Sequence, residues 1–153
     1  MRTLGVRHRT LAQVGVLALS LLGGGCGGSN AGSPQSPLAV SPAPTMLAST
    51  TVVTTSAPIG SVKILMKNIR FIPDSLKLKS GKIVIFLTNQ ELGGFHNLGF
   101  RDSAGQLIVV SDILPPGTSA VFTIGDLAPG TYKMVCTFET HEFAGMIGTV
   151  KVT

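Results

Sequence analysis

The chain has 153 residues, a formal net charge of +5, only 12% charged and 5% aromatic residues, and 19 Gly, 9 Pro and no Trp. That length accommodates one domain with accessory segments. Setting aside Arg2, Arg7 and Arg9 near the N-terminus leaves nine basic residues against seven acidic ones, with no basic stripe interleaved with aromatics, which excludes a nucleic-acid-binding surface.

Residues 1–10 are basic and are followed by an apolar run of twelve residues, Leu11 to Leu22. The run is too short to span a membrane as a helix, so residues 1–25 read as a secretory signal. Gly23-Gly24-Gly25 then leads into Cys26. A Cys placed there resembles a bacterial lipoprotein processing site, at which it becomes the lipidated N-terminus, although Gly23 stands where an apolar residue is usual. Plain signal cleavage nearby is one alternative and a Cys26–Cys136 disulfide is another. Lipidation is preferred because a Gly/Ser-rich tether begins at once and a free exposed thiol is a liability.

Residues 26–57 read as an anchor and linker. No charged residue occurs between 27 and 57, and Gly, Ser, Thr, Ala and Pro dominate, with Pro34, Pro37, Pro42 and Pro44 stiffening the chain. Met46 is expected to be a linker residue, and Val52-Val53 is a weak strand candidate.

The folded domain is expected over 58–153, built from strands throughout. Val62, Ile64 and Met66 alternate with Lys63 and Lys67, as on a half-buried strand. Phe71 to Ser75 reads as a turn, Leu76 to Lys79 as a second alternating run, and Lys82 to Thr88 as a nearly continuous apolar strand. Asn97 to Phe100, Leu107 to Val110 and Ala120 to Ile124 follow, with turns at Pro115-Pro116-Gly117 and Ala128-Pro129-Gly130. Tyr132, Met134 and Cys136 are expected on one strand face, and Gly148, Val150 and Val152 on another. Seven or eight short strands with frequent turns make an all-β Greek-key sandwich.

The chemistry concentrates in four residues. Cys136, His141 and Met146 are each separated from the next by four residues, and His96 stands forty residues upstream of Cys136. Two His and a Cys in a plane with a weak axial Met form the ligand set of a blue-copper site. The chain has three His and two Cys, and outside the leader and Cys26 only His96, His141 and Cys136 remain. Singly, each has a plain structural explanation: buried Cys, surface His, core Met, strand-end His. Together they read as one metal site holding one copper. Zinc is the chemical rival, and the thioether argues against it. Three ligands on one short loop fix their relative positions, and His96 is expected to tie that loop to the other sheet.

These residues resemble the cupredoxins of the plastocyanin, azurin and auracyanin type. Phe71-Ile72-Pro73 with Leu76, Gly81 and Val84 is similar to the family's N-terminal half, and His96-Asn97 to its first ligand and the Asn beside it. Pro129-Gly130-Thr131-Tyr132 leading to Cys136 is similar to the strand approaching the thiolate, and His141 through Val150 to the ligand loop and last strand. The four-and-four loop spacing departs from plastocyanin and azurin and is closer to auracyanin, halocyanin and plantacyanin, which leaves the subfamily open.

The resemblance implies a one-electron carrier, not an enzyme, cycling copper between Cu(I) and Cu(II) outside the cytoplasm. Its partners would be redox proteins such as cytochromes, oxidases or reaction-centre complexes, and its anchor a lipid on Cys26. A copper storage or delivery protein is the alternative. The resemblance also implies that Asn97 hydrogen-bonds Thr137 and steadies the loop. His141 is expected to be the exposed ligand beside Phe143, Ala144, Gly145 and Phe95. Glu91, Glu139 and Glu142 are expected to make the metal end acidic, while six of the nine basic residues lie between Lys63 and Lys82.

Overall fold

Alternation along the chain sorts the side chains into two layers. In the computed structural model, which describes residues 45–153, the strands are β1 (Ser49–Val53), β2 (Val62–Met66), β3 (Phe71–Ile72), β4 (Ser75–Leu78), β5 (Gly81–Asn89), β6 (Gly99–Arg101), β7 (Leu107–Val110), β8 (Ser119–Leu127), β9 (Gly130–Val135) and β10 (Ile147–Val152). The expected signal segment, Cys26 and the first part of the linker lie outside the described residues. No helix occurs among the described residues, and none is long and apolar enough to cross a membrane.

Two five-stranded sheets form, in the orders β1-β8-β5-β2-β3 and β4-β10-β9-β6-β7. The β2/β5 and β4/β10 pairs are parallel and all the others antiparallel. Ile64 and Met66 of β2, Ile85 and Leu87 of β5, Phe122 and Ile124 of β8, Phe100 of β6, Met134 of β9 and Val150 of β10 fill the space between the sheets, all essentially inaccessible. Although β5 reads as nearly continuous apolar sequence, only Ile83, Ile85, Leu87 and Asn89 are buried, and Val84 and Phe86 are half-covered on the other face. A two-layer sandwich offers each strand one fully buried face, so alternation prevails over composition.

Two strands exceed the seven or eight expected. β1 arises within the segment read as linker. Its uncharged Thr and Val residues suit a pleated edge, and Thr51 pairs with Phe122 and Val53 with Ala120 of β8. β3 arises where Phe71 to Ser75 was expected to turn. The turn falls earlier, at Asn68 and Ile69, whose φ values of 53° and 54° fit a two-residue hairpin. That leaves Phe71 free to pair with Met66 and enter the core at 2% exposure.

The last strand is held closely. Gly148 sits opposite Met134 of β9, and a Cβ there would collide with Asp74 O and the Met134 methyl. Gly148, Val150 and Val152 share the inward face, as the sequence indicates.

Candidate metal centre

β6 and β9 are neighbours in one sheet, with Gly99 opposite Val135. The residues just before β6 and just after β9 therefore emerge side by side. That juxtaposition brings His96 and Asn97 to Cys136 and Thr137. The expectation that His96 ties the ligand loop to the other sheet is corrected accordingly: it stands beside Cys136 at the end of the same sheet. His96 is fixed by a two-way backbone bridge to Leu114, with N–H···O distances of 3.2 and 2.7 Å.

The loop after β9 is short and tightly hydrogen-bonded. Cys136 N–H donates to Met146 O (3.2 Å) and Met146 N–H to His141 O (2.9 Å), while His141 N–H donates to Phe138 O (3.1 Å). Gly145, with φ of 94°, permits the reversal that returns the chain to β10. The loop so closed puts Cys136 Sγ 3.8 Å from His96 Nδ1 and 3.7 Å from His141 Nδ1, with the two nitrogens 3.1 Å apart. Cys136 is a free thiol, and Cys136, His96 and Met146 are wholly buried, whereas His141 is partly exposed. This is the one cluster of its kind among the described residues, its three ligand atoms lying within 4.8 Å of one another.

The donor set fits a metal ion. First-row metal bonds of roughly 2.0–2.1 Å to imidazole and roughly 2.3 Å to thiolate, set at trigonal angles, separate S from N by about 3.8 Å. The two S···N separations meet that requirement; the closer pair of nitrogens corresponds to a narrower angle. One soft thiolate with two imidazoles and a buried thioether nearby suits copper better than zinc. Burial, together with the adjacent His141, holds the His96 pKa below the ordinary imidazole value, against an opposing pull from Glu91. A neutral ring keeps its lone pair free for a metal. Burial pushes the Cys136 thiol pKa up, partly countered by the backbone N–H groups of Asn97 and Phe138.

The surrounding residues brace these side chains. Asn97 and Thr137 form the pair that the resemblance implies, through two hydrogen bonds of 2.8 Å. Phe138 meets the His141 ring edge-on at 5.4 Å and Phe95 at 5.7 Å. Around the partly exposed His141 lie Phe143 (91% exposed), the exposed Ala144 and Gly145, and Phe95 (42%).

The expected acidity of this end is revised. Glu142 is neutralised by Arg101, which donates through Nε and Nη2 at 2.9–3.3 Å, and by Lys133 at 3.0 Å. The Arg101 hydrogen bond is the main reason its carboxyl pKa lies below the usual value. Sequence reading missed both cations, because Arg101 and Lys133 lie on β6 and β9 and face each other only through strand register. It also missed Glu91 as anything but a rim charge, and no sequence spacing could have found its place beside His96.

Residues 38–148 match the family described as the cupredoxin-like domain. Among solved structures, auracyanin B is 27% identical, covering 69% of this chain and 98% of its own, at a TM-score of 0.54. Dithionite-reduced auracyanin from the photosynthetic bacterium Roseiflexus castenholzii is 22% identical over 63% of this chain and 99% of its own (TM-score 0.55). Auracyanin A, a "blue" copper protein from the green thermophilic photosynthetic bacterium Chloroflexus aurantiacus, is 21% identical over 61% and 100% (TM-score 0.52). No curated protein sequence matches the chain.

Proposed function

The chain belongs to the cupredoxin-like family, and from that premise we infer that it is a one-electron carrier whose single type 1 copper is held by His96, Cys136, His141 and Met146. The observation that carries this reading is the convergence of Cys136 Sγ with two imidazole Nδ1 atoms at 3.7–3.8 Å beneath a closed loop. Auracyanin B, the 27% identical neighbour, supports it. Bound there, copper supplies a one-electron couple between Cu(I) and Cu(II), with thiolate favouring the reduced ion and imidazole suiting both.

The chain's own part is to hold four donors still. His96 and Cys136 are fixed on adjacent strand ends, His141 and Met146 by the loop's internal hydrogen bonds. His141 is the ligand nearest solvent and the route by which electrons leave, and exposed Phe143, Ala144 and Gly145 form an apolar apron for brief docking by redox partners. The reading extends to the whole chain: residues 1–25 direct export, Cys26 carries a lipid, and the segment between Cys26 and strand β1 tethers the domain outside the cytoplasm.

The test is the optical spectrum. Copper-loaded, oxidised protein should show an intense band in the visible range from thiolate-to-copper charge transfer, and Cys136→Ser should abolish it while the β-sandwich persists by circular dichroism. A blue Cys136→Ser protein, or a colourless wild type that has bound copper, would overturn the reading.

A further inference from the structure

When His96 Nδ1 faces Cys136 and His141 with its lone pair, the ring's proton resides on Nε2. That Nε2 is buried and has no hydrogen-bond partner among the described residues. A buried donor left unmatched costs about 1–3 kcal/mol. One acceptor faces it: Glu91 Oε2, at 3.6 Å.

The approach of Glu91 is built by several residues. Asn89, fully buried at the end of β5, donates from Nδ2 to Gly94 O and Leu114 O, both at 2.9 Å, and its Oδ1 accepts Glu91 N–H at 3.0 Å. It thus clamps the loop from Glu91 to Gly94 onto the segment at Leu114 that bridges His96. Ile69 N–H donates to Glu91 Oε2 at 3.2 Å, from a β-branched residue held at φ 54°, a conformation such residues rarely adopt. At Gly94 a Cβ would fall 2.9 Å from Glu91 Cγ and 3.3 Å from His96 Nε2. Only glycine lets the carboxylate and the imidazole meet without a wedge between them.

We propose that Glu91 is the positioning residue for His96: its carboxylate accepts the Nε2 proton, fixes the ring's orientation and tautomer, and lends negative charge to the metal centre through the imidazole. Ligating histidines commonly give their second N–H to a carboxylate, which raises ligand basicity. A more basic ligand and a nearby anion both favour Cu(II), so Glu91 lowers the reduction potential. The separation of 3.6 Å is one small carboxylate movement from a hydrogen bond, and the Ile69 amide and the Asn89 clamp hold Glu91 beside the ring.

The proposal rests on the copper reading, and the experiment separates the two. Wild type, Glu91→Gln and Gly94→Ala are loaded with copper. Failure of the wild type to turn blue counts against the copper site itself. Given a blue wild type, Glu91→Gln should keep its colour and raise the potential enough to shift the Cu(II)/Cu(I) ratio about tenfold, about 59 mV for one electron. In the diamagnetic Cu(I) proteins, the His96 Nε2 proton should be visible by ¹⁵N-edited NMR and shielded from solvent in the wild type. It should move upfield in Glu91→Gln and exchange faster in Gly94→Ala, whose methyl pushes the carboxylate away. A blue Glu91→Gln with an unchanged potential, or an Nε2 proton indifferent to both substitutions, would overturn the proposal. The amide is isosteric and leaves the Ile69 and Asn89 contacts possible, so a change in potential without loss of stability marks charge rather than misfolding.

Discussion

Asn97 and Thr137, forty residues apart, are joined by two reciprocal hydrogen bonds of equal length: Asn97 Nδ2–H to Thr137 Oγ1 and Thr137 N–H to Asn97 Oδ1, each 2.8 Å. The pair locks the residue after His96 to the residue after Cys136. Removing the amide leaves the Thr137 N–H unmatched in a half-buried setting. Asn97→Ala should therefore destabilise the domain by roughly 1–3 kcal/mol, and Thr137→Ala, which keeps its backbone bond, by less. Urea denaturation of both variants checks the order.

Gly148→Ala should be costly for a steric reason. The added methyl would meet Asp74 O and the Met134 methyl, and Asp74 O also accepts the Thr149 N–H at 2.8 Å. Overpacking of this kind costs about 1–3 kcal/mol. A midpoint of unfolding unchanged from the wild type would show that β4 and β10 part more easily than their register implies.

Glu142 makes stability depend on pH at the acid end. Its folded pKa lies below the ordinary value of 4.5 because Arg101, and then Lys133, bind the carboxylate. A depressed pKa contributes stability that is present above the unfolded value and lost as pH falls through the folded one. Glu142→Gln should lower stability at neutral pH by at most about 1 kcal/mol, since the network is partly exposed. The difference from wild type should vanish as pH falls below 4.5 and through the folded value, as thermal denaturation across pH can show.

Met146→Gln should retain the thiolate band and lower the reduction potential by more than about 59 mV, a tenfold change for one electron. An amide oxygen is a harder donor than a thioether and favours Cu(II). Protein-film voltammetry beside the visible spectrum separates the two effects, and an unchanged potential would exclude Met146 from the coordination sphere.

Ala144→Glu places a charge on the exposed apron beside His141 without touching a ligand. Electron exchange with protein partners should slow several-fold while spectrum and potential stay put. Stopped-flow kinetics at two ionic strengths are the measurement, and equal rates would locate docking elsewhere.

Much of this protein is determined locally and can be read in one dimension. Alternation fixed β2, β8 and β10, because a strand's side chains change faces at every residue. The candidate ligand set stood out because scarcity isolated it: with so few His and Cys, the spacing of Cys136, His141 and Met146 pointed to one metal site. The pairing of Asn97 with Thr137 followed from resemblance. What the tertiary structure decided were relations between residues distant in sequence. Ser49–Val53 became a strand because β8 offered an edge for it, which no composition of Thr and Val reveals. His96 joined Cys136 within one sheet because β6 lies beside β9. Glu142, one of three carboxylates expected to make the metal end acidic, is balanced by Arg101 and Lys133, whose proximity is a matter of register. Glu91 found His96 only because Asn89 folds the intervening loop back on itself. Charge pairing and hydrogen bonding act over a few ångströms in space, and sequence separation does not measure that distance until the sheets have assembled.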